Sequence, residues 1–156
     1  MSAFAFDLRE YAKKAEQTIG DAVREIVITI GTLVDERSPV GQPDIWAANI
    51  ARASRGLPPV PKGYLGGHFR ANNQYQFGSV PASEVEGEDP IGASAMAAIR
   101  NGVMMAPASG VHYVANIVPY AQALEEGHST QAPFGIYGLA QLDTENAARA
   151  ILKEIE

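Results

Sequence analysis

Leu8, Ala12, Ala15, Ile19, Ala22, Ile26, Ile30 and Leu33 recur at three- and four-residue steps, and Val23, Val27 and Val34 widen the stripe. An apolar face sustained over this length predicts a long amphipathic helix. It constrains the fold more than any other feature, because a rod roughly 45 Å long, at ~1.5 Å per residue, has to find something to pack against. Asp7 stands where an N-cap belongs, with Glu10 three residues later as in a capping box. Ser38-Pro39 closes the helix, since the residue before a proline avoids the helical region. The predicted span is therefore Asp7 to Glu36, with Gly20 as an internal weak point. The β-branched density from Ile26 to Ile30 leaves a strand there as the lesser alternative. The simplest partner for the stripe is a sheet; a homomeric coiled coil is the sharper reading.

With 156 residues the chain is expected to form one domain, 1–156, large enough to bury a real core. Cysteine is absent, which removes disulfides, thiolate zinc sites and thiol nucleophiles together. The net charge is −6, and the longest basic run is Lys13-Lys14. A sequence-independent duplex DNA binder needs a basic stripe to neutralise phosphates, so a tight DNA grip is not expected. No apolar run approaches membrane-spanning length, and the N-terminus lacks the pattern of a signal peptide.

Residues 38–67 form a Pro/Gly-rich connector holding Pro39, Pro43, Pro58, Pro59 and Pro61. Within it, Asp44 to Ala53 has helical spacing and carries Trp46, the one tryptophan of the chain. A loop this long in a compact domain usually faces a partner, and tryptophan is common at interface hot spots. A tryptophan that pins the loop to the core is the equal alternative. From Phe69 the period changes: Ala71, Asn73, Tyr75 and Phe77 alternate with polar residues, as in a strand. Gly78 to Pro90 is acidic and rich in turn formers, and reads as an exposed loop. Ile91–Met105 reads as helix, Val111–Val118 as strand, Tyr120–Glu126 as a short helix, and Gly135–Ile155 as a last helix. A third strand near Val103-Met104-Met105 would complete a sheet of three to five strands. The fold class is α+β: a long N-terminal helix and a C-terminal helix packed on a small antiparallel sheet.

Little in the chain suggests catalysis. His68, His112 and His128 form no metal-ligand pair, and Glu125-Glu126 are adjacent on a helix and so cannot face each other. No nucleotide-binding glycine loop or nucleophile elbow is present. The special residues instead shape backbone: Gly127 as a helix C-cap, Pro119 and Pro133 as helix starters, Asn116 as a local hydrogen-bonding bend. They make a rigid corner from Tyr120 to Gly135. The expectation is no enzyme, no cofactor and no metal. Candidate assembly contacts are Trp46 in the connector and Tyr120, Leu124, Glu125, Gln131 and Phe134 in the corner.

Two motifs carry a family resemblance. The first is Ser38-Pro39-Val40-Gly41 with Lys62-Gly63-Tyr64-Leu65-Gly66-Gly67-His68-Phe69-Arg70-Ala71-Asn72. The second is Asn116 with Pro119-Tyr120-Ala121, Leu124-Glu125, Gly127, Ser129, Gln131-Ala132-Pro133 and Gly135. In these, and in the order of its elements, the chain resembles the neck or tail-completion proteins of tailed bacteriophages, the group related to minor tail protein Z. It departs from them at Asn73, where an aromatic is common, around Gly135, and in the long insert from Gln42 to Pro61. The resemblance implies a virion structural protein of the neck or tail, made in the host cytoplasm, with no inherited catalytic residues. It implies self-association into a closed ring, sixfold by expectation with twelvefold as the rival. Neighbouring head-closure or connector proteins and the tail terminator or tail tube would be its partners, with no membrane involved. DNA would pass through the lumen without sequence-specific binding. A tail terminator capping the tail tube is the alternative role, and a small cytoplasmic enzyme a more distant one.

Overall fold

The structure, a computed structural model, describes residues 3–41 and 65–154, with side chains of the first helix from Glu10 onward. The predicted helix around Trp46 lies outside the described residues. The elements in order are α1 (Ala3–Arg37), α2 (His68–Ala71), β1 (Gln74–Phe77), α3 (Ala93–Met105), β2 (His112–Ala115), α4 (Ala121–Glu125) and α5 (Tyr137–Lys153). The architecture is α+β, with the long first helix and the last helix around a small antiparallel sheet.

Helix α1 begins at Ala3, so Asp7 lies inside it and does not cap it; Ala3 to Phe6 contain no helix breaker to halt propagation. The other end is where Pro39 predicts. Ser38 Oγ donates to the Val34 carbonyl at 2.8 Å, which closes the last turn. Gly20, the expected weak point, is also a point of close contact, and so is Gly31. A Cβ on Gly31 would sit 2.9 Å from Ile99 Cγ2, and one on Gly20 3.1 Å from the Ala108 methyl. The missing side chains let α1 and the segment around α3 approach closely.

The apolar core gathers along α1. Val34 meets Phe69, Val118, Ala132, Ile136 and Ala140, with Ile30, Leu33, Leu124 and Tyr137 packed around them. Helix α3 contributes Ala95, Ile99 and Val103, all buried, with Ile99 against Gly31. The stripe on α1 therefore packs mainly on helices, and the sheet is smaller than expected. Its two strands pair antiparallel, Gln74 with Ala115 through to Phe77 with His112. Among the described residues there is no third strand, and Val103–Met105 is the end of α3. A two-stranded ribbon is marginal alone. Here α3 lies so close that a Cβ on Gly102 would meet the Tyr75 ring at 2.5 Å.

The strand expected from Phe69 starts only at Gln74. Residues before it are wound into a tight turn in which the Ala71 N–H reaches the Gly67 carbonyl at 2.8 Å and the Asn73 N–H reaches that of Arg70 at 3.1 Å. Likewise Pro133 does not open the last helix. Helix α5 starts at Tyr137, after a turn in which Gly135 takes a positive φ of 85°. Gly127, at φ 83°, ends α4 as predicted, its N–H bonded to the Leu124 carbonyl at 3.1 Å.

Candidate functional site

The junction between the end of α1, the α2 turn and the corner after β2 is polar and buried. Asn73, only 2% exposed, is its hub. Its Nδ2 donates to Ser38 Oγ at 2.8 Å, while its Oδ1 accepts from Asn116 Nδ2 at 3.0 Å and from the Tyr137 hydroxyl at 3.1 Å. Burial, followed by the nearby Glu125 charge, pushes the Tyr137 phenol well above its ordinary range, so the hydroxyl stays protonated and donates. Asn116 also donates to the Phe69 carbonyl at 2.7 Å, and its Oδ1 accepts from the Val118 N–H at 3.3 Å, the local bend expected of it.

Arg70 ties three segments. It donates to the Pro90 carbonyl at 2.8 Å and to the Ser38 carbonyl at 3.0 Å, and its Nε faces Asp35 Oδ1 at 3.8 Å. Asp35 is 6% exposed. Burial lifts its carboxyl above the usual carboxylate range; Arg70 opposes that lift, and Asp89 adds to it. Asp89 is the exception in the acidic loop. It is buried, and its Oδ2 accepts from the Ala95 N–H at 2.8 Å in the first turn of α3. Asn72 clamps the same loop, accepting from the Val85 N–H at 2.7 Å and donating to the Val85 carbonyl at 3.0 Å. Asn72 and Arg70 thus replace water for backbone groups that the turn leaves unpaired.

The corner residues have distinct placements. Glu125 accepts from three successive N–H groups that open α5: those of Ile136 at 2.9 Å, Tyr137 at 2.8 Å and Gly138 at 2.8 Å. Partial burial alone would raise its carboxyl, but the three N–H bonds outweigh this and hold it below the ordinary range. Gln131 grips the backbone of Val40, accepting from its N–H at 3.0 Å and donating to its carbonyl at 2.8 Å. Leu124 packs on the core cluster. The Tyr120 ring lies 6.1 Å from that of Phe69 and is half exposed. Phe134 is 82% exposed. The structure thus gathers Tyr120, Leu124, Glu125, Gln131 and Phe134 in one corner, while Trp46 lies outside the described residues. Among the described residues no three His, Asp or Glu side chains are grouped as a metal-ligand set, and no helix is long and apolar enough to cross a membrane.

Because Glu125 is held in its charged form, Glu125→Gln is expected to cost about 1 kcal/mol at neutral pH, a figure reduced for its partial exposure. The sign follows from the lowered carboxyl. Its contribution is complete above the ordinary glutamate range and fades as pH falls through the folded-state value. The gap between parent and variant should therefore narrow in acid, which urea denaturation across pH will read; a gap that widens contradicts the capping role.

Sequence reasoning missed the hub. Asn73 alternates with Tyr75 and Phe77, which places it on an inward face, and a polar residue there signals a buried hydrogen-bond centre. Comparison with protein-family models, with curated proteins and with solved structures finds no match.

Proposed function

We propose that this chain is a structural subunit of the neck of a tailed bacteriophage, which closes into a ring that completes the tail or joins it to the DNA-filled head. The carrying observation is the course of the apolar stripe on α1. From Gly20 onward the body covers it, with Ala22 and Val34 buried; from Glu10 to Ile19 every residue is exposed except the half-buried Ala15. A helix that runs past its own core with Tyr11 73% and Ile19 59% exposed suits a subunit built to be completed by neighbours. The corner supports the same reading. Glu125, Gln131 and Asn116 hold the backbone rigid, and Phe134 is left on the outside. A closed ring needs such fixed, complementary surfaces, since heterologous contacts that do not close propagate into filaments.

The resemblance to the tail-completion group supplies the neighbours: connector or head-closure proteins on one side, the tail terminator or tail tube on the other. An acidic chain with net charge −6 also suits a channel that lets DNA pass without holding it. Deleting the gene from the phage that encodes it should leave filled heads without functional tails, visible by electron microscopy of the lysate. A deletion phage that plates normally contradicts the assignment.

A further inference from the structure

Resting on the ring reading, we infer that the uncovered N-terminal arm of α1 docks into the acidic groove beside the α3 N-terminus of the next copy of this chain. The arm needs a cover. From Glu10 to Ile19 only Ala15 is half-buried, so this stretch has almost no packing against its own body, and most helical stability in a protein comes from such packing. It is also one continuous helix with the packed half of α1, so it cannot fold back onto its own groove.

The groove has the matching chemistry. It encloses about 440 Å³ between β1, α3 and the loop after Val85; Ala71, Tyr75 and Ala98 supply its apolar side, and Glu86 and Glu88 its acidic side. That space admits an aromatic ring. On the arm, Lys14 lies three residues after Tyr11 and flanks it on the same side of the helix. Neither Lys14 nor Glu86 has an ionic partner among the described residues. Seating Tyr11 against the alanine floor brings Lys14 to the acidic rim, so each surface carries what the other lacks. Because arm and groove are different patches, the contact is head-to-tail, the kind that closes a ring. A single arm covers less than a standard interface of about 800 Å² per partner, so stability comes from each subunit both giving and receiving one.

The chain has no cysteine, so single thiols report contact cleanly. Ala12→Cys on the arm keeps Tyr11 and Lys14, and Ser94→Cys lines the groove. The two variants, mixed and treated with a short thiol–thiol cross-linker, should yield mainly the mixed dimer. Lys14→Glu and Glu86→Lys should each weaken assembly by about fivefold or more, and the two together should restore it. If Ala12→Cys links chiefly to itself, the arms pair with one another and the inference is wrong. If rings persist without the mixed product, or the double reversal does not restore assembly, the inference fails and the ring reading stands. A chain that stays monomeric at every concentration overturns both.

Discussion

Asn73→Ala is expected to destabilise the folded chain by roughly 3 kcal/mol, since it leaves buried polar groups without partners and opens a cavity. Asn73 is bonded to Ser38, Asn116 and Tyr137, which come from three separate segments. Ser38 Oγ keeps its bond to the Val34 carbonyl and Asn116 keeps the Phe69 carbonyl, so the Tyr137 hydroxyl suffers most. A loss of this size in a chain of about 150 residues lowers Tm by roughly 6–12 °C. Gln76→Ala, on the strand but bonded only to its near neighbour Ser79, is the control and should shift Tm little. Equal effects at the two positions would show that Asn73 does not organise the junction.

Gly92→Ala should cost as much, for a different reason. Gly92 has φ +76°, and a Cβ there would lie 1.9 Å from Asp35 Oδ2. The left-handed backbone alone costs about 1–2 kcal/mol for a residue with a side chain. Displacing a buried carboxylate adds overpacking of about 1–3 kcal/mol. The carboxylate cannot retreat freely, because it faces Arg70, whose other nitrogens hold Pro90 and Ser38. Gly78 separates the two causes. It has φ +80° with open space around it, so Gly78→Ala should show the backbone cost only. Chemical denaturation of both variants should give a difference of about 2 kcal/mol. No difference would mean that Asp35 does not press against that backbone.

The elements legible in the sequence are those written in local spacing. The stripe from Leu8 to Leu33, the alanine-rich helix α3, the turn at Gly127 and the bend at Asn116 all depend on residues a few positions apart. What was not legible is written across the chain. Phe69 to Asn73 alternate like a strand, yet Arg70 reaches Pro90 and Ser38, and Asn72 reaches Val85, so long-range bonds wind this segment into a turn. Asp89 sits among exposed acids and differs from them only because its carboxylate meets the start of α3. Glu125 looked like an outward contact residue, but the N–H groups that occupy it lie 11 to 13 residues further along. That α1 stands uncovered from Glu10 to Ile19 was also hidden, because an apolar stripe looks the same whether its cover is the chain's own core or a neighbour's.

The central claim is that this fold is a building block whose first helix is finished by another subunit. Native mass spectrometry of the purified chain, alone and with the tail-side partner proposed for it, tests it most directly. The account predicts a closed particle at six times the 16.6 kDa chain mass, with twelve times as the rival order, lost when Tyr11 and Ile19 are both made polar. A single species at 16.6 kDa under all these conditions would contradict it.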